Sequence, residues 1–314
     1  MNKIAIVGAG VTGLSAARSL TAAGYAVTLF DKGRRPGGRM ASREGAAGSF
    51  DHGVQYLRAT AAEADAIGAG QLLPWPAITP RDGTGGWLAA PTFNHLARHW
   101  AEGLDVRCSH TVSTLQPGAA GHGWQLRFAE TDAVFDCDAL LLTLPTPQAI
   151  PLLAAAGVAP GRLAEVRYDP NWTLMWTPAD PLPAGFSHHA GAADAPLAWI
   201  AREDLKPGRS GPPRLTVQAS ARWSTTHLEL PAETAALELQ ALAARQLGIG
   251  SSSGGGGLAA TAHRWRYAFV SQPLGEPVLT LGRDLHYASD AGLGSRVTLA
   301  WQAGRAAAAR IAAR

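Results

Sequence analysis

Cysteine is almost absent from this 314-residue chain: Cys108 and Cys137 are the only two. They stand in no C-x-x-C spacing, so a disulfide framework is excluded and a reducing, cytoplasmic compartment is the simpler expectation. Lysine is nearly as scarce, with Lys3, Lys32 and Lys206 alone, so chemistry that needs an active-site lysine has few candidates. The net charge is only +3, from 27 basic and 24 acidic side chains. With no dense Lys/Arg run, neither nucleic acid nor an anionic membrane surface is an expected partner. No apolar run reaches the ~18 residues of a membrane span. The stretch 1–20 imitates a secretory leader but is interrupted by glycines at fixed offsets, which argues against that reading. No nucleophile-base arrangement is evident around either cysteine, so hydrolase chemistry has no support. His95 and His99 share a helix face at i, i+4, yet no third ligand accompanies them, and no metal site is expected.

What is present suits a large folded core. Hydrophobic residues make up 46% of the chain and charged residues 16%, the latter below the ~25% of an average soluble domain. The length leaves room for two domains. Residues 3–7 form a short β-branched apolar run, 9–23 read as a helix that Gly24 stops, and 26–30 read as a second strand ending at Asp31. Strand, helix, strand is a βαβ unit with a parallel sheet.

At its first turn lies Gly8-Ala9-Gly10-Val11-Thr12-Gly13. A G-x-G-x-x-G pattern between strand and helix, followed by an acidic residue about 20 positions on, is the dinucleotide-binding fingerprint. Gly8 permits the tight turn, Gly10 lets backbone approach a pyrophosphate, and Gly13 lets helix and strand pack closely. The helix N-terminus supplies amides and partial positive charge. Asp31 is expected to accept hydrogen bonds from a ribose diol and to disfavour a 2′-phosphate. A second glycine doublet with a cation, Gly37-Gly38-Arg39, suits the long pyrophosphate of FAD better than NAD.

Further along, 93–102 read as a helix, 111–115 and 124–128 as strands, and 139–144 as a strand buried on both faces. From 166 to 230 the chain breaks into strand-like pieces rich in Trp, Val and Thr, expected to form an antiparallel sheet, with His188 and His189 in a solvated loop. A helix is expected over 232–247, a Gly/Ser connector over 250–257, a strand over 263–270 and a closing helix over 297–314. On the 263–270 strand, a period of two puts His263, Trp265, Tyr267 and Phe269 on one face. Such a face suits a stacked nicotinamide ring with a hydrogen-bonding side chain beside it, though aromatics of this kind also serve as sheet core.

These motifs together resemble the bacterial renalase-like FAD-dependent oxidoreductases, within the amine-oxidase group of flavoproteins. The resemblance rests on Gly8 to Gly13, on Gly37-Gly38-Arg39, on the stretch from Phe50-Asp51-His52-Gly53 to Val54-Gln55-Tyr56, and on Leu142-Thr143-Leu144-Pro145. It continues through Trp199-Ile200-Ala201-Arg202, Lys206-Pro207-Gly208-Arg209, Trp223-Ser224, His263 to Ala268, and Ala288-Ser289-Asp290. It implies an α/β fold with a Rossmann-type FAD-binding domain, over 1–60, 93–150 and 275–314, and a β-sheet-rich substrate domain over 61–92 and 151–274. It implies non-covalent FAD held by Gly8, Gly10, Gly13, Asp31, Lys32, Gly38, Arg39, Gln55, Val112, Asp290 and Val297. The implied substrate residues are His263, Trp265, Tyr267, Trp223 and Tyr56. The implied reaction is hydride transfer from a dihydronicotinamide, an isomeric form of NAD(P)H, to FAD, with reoxidation by O2 to H2O2. A flavin amine oxidase and an inactive FAD-binding module are the alternatives. Ser289, Thr298 and Leu299 depart from the family's pattern near the last helix.

Overall fold

A computed structural model describes residues 2–68, 70–118, 122–252 and 260–313. The expected connector over 250–257 therefore lies outside the described residues from 253 onward. The chain separates into two compact units: Met1–Gly38, Ala97–Arg167 and Val270–Arg314 form the first, and Arg39–Leu96 with Tyr168–Phe269 the second.

In unit 1, β1 (Lys3–Val7) leads through a tight turn into α1 (Val11–Ala22) and then β2 (Ala26–Asp31). Both strands sit inside a six-stranded sheet, in the order Leu279–Gly282, Leu285–Tyr287, Ala139–Leu142, β1, β2, Asp105–Cys108. The inner pairings are parallel, with Val7 opposite Leu142 on one side and Phe30 on the other. Only the Leu279–Gly282 edge strand runs antiparallel. Ile4, Ala5, Ile6, Leu140, Leu141 and Leu142 are all fully buried, which is why these strands read as continuous apolar runs and not as alternating ones. The strand expected to run to residue 144 stops at Leu142, because Thr143 turns its hydroxyl onto the Val7 and Gly8 carbonyls, at 3.0 and 2.9 Å. A three-stranded antiparallel sheet of Val112–Pro117, Trp124–Phe128 and Val134–Cys137 completes the β content of this unit.

The closing helix, Val297–Ala312, packs on α1, and the buried positions of both helices are rich in small residues, Ala300, Ala303, Ala307 and Ala308 on one and Ala16 and Ala17 on the other. Ser15 Oγ donates to the Trp301 carbonyl at 2.8 Å. At Gly304 a Cβ would stand 2.4 Å from the Thr12 carbonyl oxygen, so only glycine allows this approach.

Unit 2 is built on a five-stranded sheet ordered His188–Ala190, Leu197–Arg202, Leu215–Ala219, Arg167–Trp176, Ala260–Gln272. Pairings such as Ile200 with Val217 and Leu174 with Val217 are antiparallel. The helix Ala232–Leu247 covers one face, where Ala235, Leu239 and Ala243 meet Trp172, Leu174 and Trp176. It ends at Gly248, whose φ of +67° supplies the left-handed cap that glycine adopts without strain. His188 and His189, expected in a solvated loop, instead form part of the edge strand.

Residues 39–60, expected with the cofactor domain, group with unit 2. The hairpin Ser42–Gly45/Gly48–Asp51 is tied to the 203–214 segment by the Asp51–Arg209 ion pair and by Arg214 Nε donating to the Ser49 carbonyl at 2.9 Å. Conversely, 151–167 group with unit 1, where Arg162 Nη2 donates to the Leu274 carbonyl at 2.8 Å. Gly304→Ala should lower the unfolding free energy by ~1–3 kcal/mol, the usual penalty of overpacking. Urea unfolding should show the midpoint falling with an unchanged slope.

Candidate functional site

Three glycines define the β1–α1 turn, and the structure separates their tasks. Gly8 has φ +110°, and a Cβ there would meet Thr143 Oγ1 at 2.5 Å. A Cβ on Gly13 would lie 2.0 Å from the Gly8 carbonyl oxygen. Both positions are glycine because the protein's own backbone demands it. Gly10 differs: its φ is −79°, open to any residue, and a Cβ would meet nothing within 4 Å. No packing within the chain requires glycine there, so the free space in front of it is what the glycine preserves.

That space faces the N-terminus of α1, where Gly10 caps the helix without any side-chain hydrogen bond and no acidic residue stands in the first turn. The second glycine doublet closes on the same turn. The Gly37 amide donates to the Ala9 carbonyl at 2.8 Å, and a Cβ on Gly38, φ +53°, would sit 3.6 Å from Gly10 Cα. The result is a cradle walled by backbone, with unpaired helix amides and a positive dipole end, the donor set that a pyrophosphate takes.

Asp31 ends β2 and binds both sides of this cradle: Oδ2 accepts from the Ala9 amide and Oδ1 from the Gly33 amide, each at 2.7 Å. Burial pushes its carboxyl above the ordinary value, against the pull of these amides and of Lys32. A carboxylate offers about four lone-pair directions, so two remain for a ribose diol. Lys32 itself is exposed beside it. Val112 pairs with Phe128, whose ring lies 4.7 Å from that of Phe30 at the end of β2.

Near the start of the closing helix in unit 1 stands Ser289. Its φ is −162°, an extended value, and its hydroxyl caps the short helix Asp290–Leu293 by accepting from the Ala291 amide at 3.0 Å. Asp290 is buried, and its Oδ2 accepts from Ser295 Oγ at 3.2 Å. Val297 opens the closing helix, whose cap residue Arg296 makes no side-chain hydrogen bond to its amides. Leu299 packs beside Gly294.

In unit 2, Arg39 donates from one nitrogen to the Tyr267 and Ala268 carbonyls at 3.2 and 3.0 Å. It braces the strand that carries the expected substrate residues, a task its expected pyrophosphate contact did not include. His263 and Trp265 do come together, 4.3 Å between ring centroids, with a residue the sequence reading left without a role: His52. The His52 ring lies 4.9 Å from His263 and stacks on Trp265 at 5.5 Å, while Trp265 Nε1 donates to the His52 carbonyl at 2.9 Å. Tyr267 contacts Tyr168 instead. Tyr56 joins a second aromatic group with Trp75 and Trp199. Trp223 stacks on His227 and packs against the apolar core under the helix Ala232–Leu247.

Behind His52 lies a cluster of buried charge. Asp51, Glu203 and Lys206 are fully enclosed, Lys206 Nζ being 2.8 Å from Glu203 and 3.8 Å from Asp51, and Arg209 pairs with both carboxylates. Burial pulls the Lys206 ammonium down against the opposing pull of Glu203. Burial also works against the Asp51 carboxylate, but Arg209 and Lys206 hold it below the usual range. Lys206, one of the three lysines of the chain, thus anchors the segment of Gln55, whose Oε1 it reaches at 3.5 Å. An Asp-x-x-x-Gln and Glu-x-x-Lys-x-x-Arg spacing was the only trace of this cluster in the sequence. Among the described residues, no three His, Cys, Asp or Glu side chains gather as a metal site would require, and no helix is long and apolar enough to cross a membrane.

Residues 6–67 match the model of the NAD(P)-binding Rossmann-like domain. Over 50 residues the chain is 52% identical to a 4,4′-diapophytoene desaturase of Staphylococcus haemolyticus, a match that covers 16% of this chain and 10% of that protein. Similarity of structure runs the whole length. Cyclohexylamine oxidase from Brevibacterium oxydans superposes with a TM-score of 0.74 at 12% identity, covering 99% of each chain. Putrescine oxidase with bound putrescine gives 0.69 at 15% identity, over 100% of this chain and 99% of that one. The chain therefore has a mixed α/β fold with a Rossmann-like NAD(P)-binding domain, and it shares that fold with these two structures.

Burial, then His263, then Arg43 lower the His52 pKa from 6.5 to about 3. A group whose folded pKa is depressed stabilises the fold above its unfolded value and loses that contribution as pH falls. Stability should therefore drop as pH is lowered from 6.5 towards about 3. His52→Gln should flatten that slope in urea unfolding series; an unchanged slope would assign the titration to another group.

Proposed function

We propose that this chain is an FAD-dependent oxidoreductase of renalase-like type. It oxidises a dihydronicotinamide, an isomeric form of NAD(P)H, and passes the two electrons to O2. With one proton, the hydride and O2 yield H2O2 and the oxidised nicotinamide. The observation that carries this reading is Gly10, a glycine in an ordinary conformation that guards empty space at a helix N-terminus, opposite a second glycine doublet.

FAD, bound without a covalent link, supplies the hydride acceptor and the reaction with O2. The rest is the work of the chain. The α1 amides with Gly10 and Gly38 would hold the pyrophosphate, and the open lone pairs of Asp31 a ribose diol. Asp290 would hold hydroxyls of the ribityl chain. The amides at Val297, at the positive end of a 16-residue helix, would favour negative charge on a reduced ring. In unit 2, Trp265 offers a flat face for a planar ring and His263 a hydrogen-bonding edge, with Tyr267 on the same strand. Lys206 and Arg209 act by position, keeping the Asp51–Gln55 segment in place.

The fold shared with a putrescine and a cyclohexylamine oxidase makes amine oxidation the second reading. Anaerobic mixing separates it from the first. Bleaching of a yellow protein by a borohydride-derived NADH isomer, and peroxide formation on readmitting air, is the expected result; bleaching by amines alone would move the assignment to amine oxidation. A yellow protein that neither bleaches would be a binding module.

Two variants test the residues. Gly10→Val should keep the fold, since nothing lies within 4 Å of a Cβ at this position, and lose FAD, read as the ratio of flavin to protein absorbance after purification. Full flavin content would overturn the placement. Trp265→Ala should retain FAD and slow flavin reduction by about tenfold, the effect of about 1.4 kcal/mol in a barrier.

A further inference from the structure

Arg43 lies on the hairpin strand Ser42–Gly45, opposite Phe50, and is half-buried. Among the described residues its guanidinium has no hydrogen-bond or ion-pair partner. This sets it apart from its neighbours: Arg209 pairs with Asp51 and Glu203, Arg202 with Asp204, and Arg214 donates to the Ser49 carbonyl. A cation held partly out of water without an anion is a feature that stability does not require.

The charge of Arg43 bears on both His52 and His263. His52 adds a second group: the residue is only 6% exposed, and its buried Nδ1 makes no bond at hydrogen-bonding geometry, the Phe50 carbonyl acting on the ring only weakly. His52 and His263 flank Trp265, whose indole is fixed by the bond from Nε1 to the His52 carbonyl, and Arg43 lies opposite Phe50 of the paired strand, two residues before His52. The acidic groups nearby are already committed. Asp51 is held by Arg209, Lys206 and Ser42, and Glu44 is exposed, its charge acting on Arg209 and Arg214. The face that remains is aromatic and positive.

We propose that Arg43 and His52, beside Trp265, form a recognition site for an anionic group, a phosphate or a carboxylate, carried by a planar substrate, and that this site discriminates against ammonium substrates. Arg43 supplies a planar fork that matches either anion with two parallel bonds. In its Nδ1–H tautomer a neutral His52 donates a third. Trp265 takes the ring to which the anion is attached. An ammonium group placed here would meet Arg43 and find no free carboxylate. The proposal rests on the preceding reading only for the identity of the ring.

The test uses the purified FAD-containing protein and unreactive oxidised ligands, titrated against tryptophan fluorescence and by calorimetry. Nicotinamide mononucleotide and nicotinamide riboside differ by one phosphate; nicotinate and nicotinamide differ by a carboxylate. The phosphate should tighten binding by about tenfold. Arg43→Gln should erase the preference while leaving riboside affinity and flavin content unchanged, and Arg43→Lys should keep part of it. His52→Phe, which keeps a ring, should lower the preference by about threefold and serves if the Arg43 variants do not fold. Equal binding of both members of each pair by the unmodified protein would overturn the site. So would an Arg43→Gln protein that loses riboside and mononucleotide in equal measure. A surviving anion preference without flavin bleaching by any dihydronicotinamide would sink the proposed reaction and leave the site standing; bleaching without anion preference would do the reverse.

Discussion

Unit 1 depends on how closely backbone approaches backbone at the β1–α1 turn. A side chain on Gly13 would strike the Gly8 carbonyl at 2.0 Å, and one on Gly304 would strike Thr12 at 2.4 Å. With both positions bare, the helix can lie against the strand on one side and against the closing helix on the other. Thr143 then locks the turn by donating to two consecutive carbonyls, which terminates the neighbouring strand in the same stroke. The tight packing leaves the first amides of α1 pointing at open ground, and a helix end so exposed wants an anion. The structural demand and the chemical capability come from one arrangement of main chain.

Unit 2 solves a different problem. Four ionised groups, Asp51, Glu203, Lys206 and Arg209, are withdrawn from water together, with Ser42 and Thr216 donating to the two carboxylates at 2.6 Å. Buried charge is tolerable only where each member is paired and hydrogen-bonded, and here the signs balance. The cluster joins the hairpin ending at Asp51 to the 203–209 turn, and it leaves His52 and Gln55 in defined positions on either side of Gly53. Arg43, on the same hairpin, is excluded from that balance. The cation proposed for the Trp265 face thus stands outside a cluster whose own charges are paired.

The relatives divide along the same line. Identity to a desaturase reaches 52% but stops after 50 residues, whereas the likeness to two amine oxidases spans nearly the whole chain at 12–15% identity. Backbone approach around a glycine turn tolerates few alternative residues. Sheet and helix packing can be met by many apolar combinations, so the fold persists elsewhere at low identity. Substrate choice lies in the second class, which is why it has to be argued from side chains in place.

The sequence by itself determined the βαβ unit, the glycine turn, Asp31 and the buried run of Ala139–Leu142, because local periodicity and a few fixed spacings suffice for these. It also paired His263 with Trp265, since a period of two is a property of any extended strand. It did not reveal that residues 39–60 belong with unit 2, that Lys206 is fully enclosed, that Arg39 braces Tyr267 and Ala268, or that Trp223 packs into the apolar core. Those depend on contacts between segments far apart in the chain, Asp51 with Arg209 or His52 with Trp265, and no local pattern encodes such a meeting. Which glycine serves the fold and which keeps a space open was likewise decided only in three dimensions, because Gly8, Gly10 and Gly13 are the same residue until their surroundings are known.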